Sequence, residues 1–290
     1  MAAAKKLNAH FNEQHKPRKG ALEAAVKAND IAAVKDLLQR GASANEGDVL
    51  LTAVLKSGKE IVSALLDAGA NINVRGSAQR TPLITALERA TLNAYDRRGL
   101  EATEDTENPS YKKDKADGLE IARLLVDKRA DVTLEANNGV YDTLSAIELV
   151  VREKGPAAKE LVRLMLDKGA NPNDTNHFGD TLLVMAIANQ GDDPDIVRWL
   201  LDHGAQENKV TGLRQTSALI SAVGAGAVKT VRLLLERGAD VAVHDGNNRT
   251  ALDVAKAHNN TELVQLLEEY AAKAKPVTPN KIAKIKKPHL

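Results

Sequence analysis

A run of apolar residues spaced three and four apart, closed by glycine, recurs along the chain. Its clearest copy is Val231-Arg232-Leu233-Leu234-Leu235-Glu236-Arg237-Gly238-Ala239-Asp240. The stretches 34–42, 62–71, 162–171 and 197–205 repeat the phrase, and 122–131 is a degraded version. Each predicts a short amphipathic helix with one apolar stripe and charged residues on the opposite face. Gly41 and its counterparts stop the helix, because glycine alone reaches the left-handed C′ conformation without steric penalty.

A second predicted helix precedes each phrase. In the first unit, Ala21 to Val26 form one short helix, Asn29-Asp30 turns the chain, and Ile31 to Gln39 forms the next. The second unit opens at Asp48-Val49-Leu50-Leu51 and the third at Thr81-Pro82-Leu83-Ile84-Thr85-Ala86-Leu87. Threonine is a good N-cap, and proline suits the first helical position, where an N–H has no partner in any case. Weaker openings stand at 145–150, 181–186, 217–222 and 250–255. Gly169, Gly204 and Gly238 follow one another at intervals of 35 and 34 residues.

The Thr-Pro-Leu-x-x-Ala opening, with Gly-Ala-Asn or Gly-Ala-Asp at the close, resembles the ankyrin repeat, which has a period of about 33 residues. About seven such units cover residues 20–271. The resemblance implies an all-α repeat: a solenoid of helix-turn-helix units with β-turn finger connections. No unit keeps the histidine of the family's opening motif, which is expected to loosen the hydrogen bonding between units.

Three regions depart from the pattern. A charged insertion at about 91–118 separates the two helices of the third unit and holds Tyr95 and Tyr111. It reads as a solvated loop, a helix extension or a partner-contacting arm. The connection from Ala130 to Ser145 is also long. The last unit ends Leu266-Leu267-Glu268-Glu269-Tyr270-Ala271 in place of Leu-Leu-x-x-Gly-Ala and reads as a polar C-terminal cap. Residues 1–19 are expected to be a flexible basic segment and 272–290 a disordered Lys/Pro-rich tail.

Composition sharpens this picture. Aromatic residues are 2% of the 290, too few for one large central core but sufficient for thin stacked layers. Cysteine is absent, which excludes a disulfide framework and thiolate chemistry. No apolar run reaches the ~18 residues of a membrane span, and Met1 to Gly20 lacks the apolar core of a secretory signal. A cytoplasmic location, extending to the nucleus, is expected. The net charge of +1 conceals basic ends and a body that is acidic by about nine charges.

Catalytic chemistry finds no foothold. The chain carries no phosphate-binding Gly-x-x-x-x-Gly-Lys loop, no His-Glu-x-x-His and no Gly-x-Ser-x-Gly. Asp192, Asp193 and Asp195 resemble the start of a calcium loop, but Pro194 interrupts it and no glycine or distal glutamate follows in register. His244 and His258 lack a carboxylate companion for a metal. No enzyme activity, metal or cofactor is expected. The tail segment Lys281-Ile282-Ala283-Lys284-Ile285-Lys286-Lys287 lacks aromatic stacking residues, so specific nucleic-acid recognition is not expected either.

In proteins of the resembled family, partners are bound by the fingers and by exposed positions of the first helices. On this chain those positions are Arg75, Arg80, Tyr141, Asp142, His177, Phe178, Asp180, Leu213, Arg214, His244 and Arg249 in fingers. Glu88, Arg89, Arg152, Asn189 and His258 are their first-helix counterparts. Phe178 is the natural anchor: it is one of two phenylalanines and precedes Gly179-Asp180 at a finger tip. Trp199 replaces an aliphatic residue of a second helix and reads as structural. The expected function is a monomeric, non-enzymatic scaffold or adaptor that binds another polypeptide. The alternative is an assembly chaperone or inhibitor that shields a basic partner with its acidic body.

Overall fold

A computed structural model describes residues 17–91, 109–137, 143–213 and 215–273. Among the described residues, fourteen α-helices fall into seven consecutive pairs. The first three units are α1 (Ala21–Lys27) with α2 (Ile31–Gln39), α3 (Val49–Lys56) with α4 (Lys59–Asp67), and α5 (Pro82–Thr91) with α6 (Pro109–Asp127). The fourth and fifth are α7 (Ala146–Val151) with α8 (Pro156–Asp167), and α9 (Leu182–Gln190) with α10 (Asp195–Asp202). The last two are α11 (Ala218–Gly224) with α12 (Val228–Glu236), and α13 (Ala251–Ala257) with α14 (Thr261–Lys273). First helices pack on first helices from α1 through α13, and second helices form a parallel row behind them.

The predicted caps form. The hydroxyls of Thr81, Ser145, Thr181, Ser217 and Thr250 each accept a hydrogen bond from the backbone N–H three residues on. Each thereby satisfies one of the four unpaired donors at its helix start. Gly41, Gly69, Gly169, Gly204 and Gly238 all take φ between +84° and +95° at the ends of the second helices. Arg129 occupies the same place in the third unit at φ +69°. An L side chain there costs about 1 kcal/mol that a glycine would not.

The interior is aliphatic. Leu22, Ile61, Leu65, Ile84, Ile121, Leu161 and Leu182 are fully buried, and one continuous apolar layer runs through all seven units. Alanines at Ala53, Ala86, Ala186, Ala222 and Ala255 are buried between neighbouring first helices and let them approach closely.

The fingers are stitched by asparagines. Asn45 donates to the Gly69 carbonyl and accepts from the Asn71 amide. Asn173 does the same toward Gly204 and Gln206, and Asn208 toward Gly238 and Asp240. Asn73 accepts from the Asp131 amide. The chain breaks the row at Thr133, whose amide and hydroxyl both turn back onto Asp131.

In the third unit the described part of the insertion takes the helix-extension form, one of the readings its sequence allows. From Pro109 onward the charged insertion is helical and continuous with the second helix, giving α6 its 19 residues. Gly118 lies so close to α5 that a Cβ there would sit 2.8 Å from the Ala86 carbonyl oxygen and the Ala90 nitrogen. Residues 92–108 of the insertion lie outside the described residues, as do 1–16 and 274–290 of the two terminal segments. Among the described residues, the only ladder-paired strands are β1 (Ala136–Asn137) and β2 (Thr143–Leu144), an antiparallel hairpin that lengthens the fourth finger.

Candidate protein-interaction groove

Seven residues past the opening residue of each first helix stands one position per unit that is exposed or half-buried. In units two to four it is occupied by Leu55, Glu88 and Arg152; in units five to seven by Ala188, Gly224 and Ala257. The small Ala188 and Gly224 of the second set line a groove of about 1030 Å³ between the first helices and the fingers. Its floor is apolar, made by Val184, Ile187 and Ala188 of α9, Ile220 and Gly224 of α11, and Val254 of α13.

Two apolar side chains stand at its rim. Phe178 is 48% exposed and Leu213 80% exposed; among the described residues, Leu55 and Val210 are the other exposed large apolar side chains. The Phe178 ring packs on His177, with ring centroids 3.6 Å apart. Asn176 holds this finger in shape: its side-chain oxygen accepts the amides of both Phe178 and Asp180 at 2.9 Å. The fifth and sixth fingers touch through glycine. A Cβ on Gly212 would lie 2.1 Å from Asp180 Oδ1, so the carboxylate rests where only a glycine leaves space.

Charge around the groove is mostly settled internally. Arg249 donates through Nε and a terminal nitrogen to Asp245 Oδ2, at 3.0 and 2.8 Å. These hydrogen bonds hold the Asp245 carboxyl below its ordinary pKa. Further from the groove, burial raises Asp174 above the usual carboxylate range. Lys159 spans to Asp193 and Asp195 of the next unit, which raises its own pKa and lowers that of Asp193. The three aspartates at 192–195 therefore serve the joints between units: Asp192 accepts the Thr230 amide of unit six. Among the described residues, no three metal-ligating side chains cluster.

Phe178, Asp180, Leu213, Arg249 and His258 line this groove together, and His177 supports it. Other expected positions lie elsewhere. Arg75 donates to the carbonyls of Gln79 and Glu135 and so links the third finger to the next. Arg80 and Glu88 form a two-pronged ion pair at 2.8–2.9 Å. Arg152 pairs with Glu148 at 2.7 Å. Asn189 donates to the Met185 carbonyl of its own helix. His244 is exposed, and its backbone pairs with Thr250 beneath the seventh finger. Tyr141, Asp142 and Arg214 lie outside the described residues.

Arg89 corrects the expectation of an exposed first-helix contact. It is buried at 7% exposure and donates to the Val54 and Ser57 carbonyls of unit two and to Asp114 and Asp117 of α6. The last carbonyls of a helix lack partners within it, and the guanidinium supplies them. Gln190 of the fifth unit does the same for the Val151 and Glu153 carbonyls of the fourth. The floor residues Val184, Ile187, Ile220 and Gly224 were missed by reading for charge and aromatics. The signal for them was the small residue at the inward position of the later first helices.

These features define a class: a stack of helical hairpins whose fingers and first helices bound a long groove. Comparison with known proteins gives the family. The model described as ankyrin repeats (3 copies) matches residues 149–245 and 192–278. The B-cell lymphoma 3 protein homolog of Mus musculus is 35% identical over 112 residues, 37% of this chain and 25% of the relative. A putative ankyrin repeat-containing protein of Treponema pallidum is 32% identical over 113 residues, 39% of this chain and 37% of the relative. These alignments thus span between a quarter and two fifths of the relatives' own lengths. The crystal structure of the ankyrin repeat domain of Bcl-3, a member of the IkappaB protein family, superposes with TM-score 0.58 at 25% identity. That superposition covers 86% of this chain and 97% of the other. The chain belongs to the ankyrin-repeat family. Ankyrin repeats mediate protein–protein interaction and are typically non-catalytic modules.

Among the described residues, no helix is long and apolar enough to cross a membrane.

Proposed function

We propose that this chain is a non-enzymatic scaffold or adaptor that seats a segment of another polypeptide in the groove of units five to seven. The observation that carries the reading is the pairing of an open apolar floor with two exposed apolar rim residues, Phe178 and Leu213. Large side chains are left in water at few other places among the described residues, and interface anchors are enriched in such aromatics.

The test is partner retention by the full chain against a Phe178→Ala, Leu213→Ala double variant. Loss of a bound partner at least tenfold, about 1.4 kcal/mol, is expected, with the thermal midpoint unchanged. Equal retention by both proteins overturns the reading. Salt separates the two roles considered for the chain. An adaptor that relies on apolar contact keeps its partner as salt rises, whereas shielding of a basic partner by the acidic body fades with screening.

A further inference from the structure

We infer that the groove of units five to seven selects an extended segment in which bulky aliphatic side chains alternate with basic ones. This names the partner chemistry of the groove proposed above and rests on that reading.

The argument starts from Asp180. Its carboxylate lies at the groove edge beside Phe178, and among the described residues it forms no ion pair. Its polar contact is with its own finger: Oδ2 accepts from Asn176 Nδ2 at 3.3 Å. The other carboxylate of the groove, Asp245, is already neutralised by Arg249. Among the described residues of the lining, Asp180 is thus the charge without an ion-pair partner, and it is negative.

Phe178 adds to the same preference. An aromatic face attracts a cation lying over it, most strongly where water is partly excluded. A lysine or arginine whose stem crosses the ring places its charge toward Asp180 while its methylenes pack on the apolar rim. Between such residues, the floor left open by Ala188 and Gly224 accepts aliphatic side chains. In an extended strand, successive side chains point to opposite sides, so alternate residues share one face. An acidic segment meets the opposite outcome: its charge faces Asp180 with no free cation on the described lining to receive it.

The probe is a fluorescein-labelled dodecapeptide alternating Val and Lys, titrated by anisotropy with the full chain. Matched peptides carry Glu for Lys or Ser for Val. Binding of the Val-Lys peptide is expected, weakened about fivefold by Asp180→Asn and at least about tenfold by Phe178→Ala. The Glu and Ser peptides are expected to bind at least about tenfold more weakly. Equal or tighter binding of the Glu peptide overturns the inference. So does an Asp180→Asn variant that binds the Val-Lys peptide unchanged. If either result comes with binding that still depends on Phe178, the groove reading stands and only the basic preference falls. Binding indifferent to Phe178 removes both. The chain's own Lys281–Lys287 has the same mix of Lys and Ile. Tighter peptide binding after exchange of those lysines for Glu identifies that segment as a competitor and supports the same chemistry.

Discussion

Units two to four and units five to seven use the same hairpin but present opposite inner surfaces. In the earlier set the inward first-helix position is filled by Leu55, Glu88 and Arg152, and both charges are paired within the chain. In the later set the position shrinks to Ala188, Gly224 and Ala257, and a groove opens over the first two. The helices themselves barely register the change, because these positions do not contribute to the core. A repeat fold separates what stacks from what binds, so a few inward residues can retune one stretch of surface without disturbing the rest.

The halves also differ in how their units are joined. Asparagines stitch both, Asn45 and Asn73 in the earlier units and Asn173 and Asn208 in the later ones. The earlier units add Arg89, which ties α3, α5 and α6 together. Lys115 of the same lengthened helix reaches Glu153 of the fourth unit. The insertion thus braces the joint between units three and four, whose finger carries Thr133 in place of the asparagine.

The largest expected effect falls on that brace. Arg89→Met leaves two helix carbonyls and two carboxylates without their shared donor. Loss of one member of a buried pair costs about 3–5 kcal/mol, and the lower end applies because Asp114 and Asp117 keep contact with water. The damage is expected to stay in the earlier half. Trp199 is the chain's single tryptophan and sits in the fifth unit, so its fluorescence reports the later half, while far-UV circular dichroism reports every helix. In urea the dichroism midpoint of the variant should fall well below the fluorescence midpoint. Coincident transitions that fall together would show that the two halves unfold as one.

The inner-surface contrast is sharpened by exchanging residues across it. Gly224→Arg places in unit six the residue that unit four carries at Arg152, where Ile220 offers no carboxylate to pair with it. It should reduce partner retention about tenfold, equivalent to about 1.4 kcal/mol. The fold should tolerate it: Gly224 is exposed, a Cβ there meets nothing within 4 Å, and a cation suits the end of a helix. The reciprocal Arg152→Gly is expected to leave partner retention unchanged. An equal loss from both substitutions would move the binding surface away from the later half.

Much of the stack was legible because periodicity, caps and terminating glycines are local signals. Thr81-Pro82 and Gly169, Gly204 and Gly238 each announce an element boundary within a few residues. What could not be read is the fate of side chains whose partners lie 25 or more residues away. Arg89 looked like a surface cation because Asp114 is 25 positions on and across the insertion. The groove was half legible: Phe178 and Leu213 stood out by type, whereas its floor is defined by small residues, and an absence of bulk leaves no mark unless the units are aligned. For the insertion the sequence offered a helix extension among other readings and could not choose between them. Its charged sequence has a weak apolar face, and its docking depends on Gly118 fitting against α5.

The smallest expected effects come from repairing the third unit until it resembles the later ones. Arg129 holds φ +69° where its counterparts are glycine, and Arg129→Gly should stabilise by about 1 kcal/mol through release of that strain. Thr133 stands where Asn45, Asn73, Asn173 and Asn208 carry the stitch, and Thr133→Asn should offer the Gly169 carbonyl and the Asn171 amide the bonds their equivalents have. A net gain of about 1 kcal/mol is the usual worth of such a hydrogen bond. Because the new bonds join units three and four, the second variant should also narrow any gap between dichroism and fluorescence midpoints in the Arg89→Met background, whereas Arg129→Gly acts within one unit and should raise the dichroism midpoint alone. If Thr133→Asn leaves the gap unchanged, the asparagine row is not what couples the later units, and the apolar layer between first helices carries that coupling.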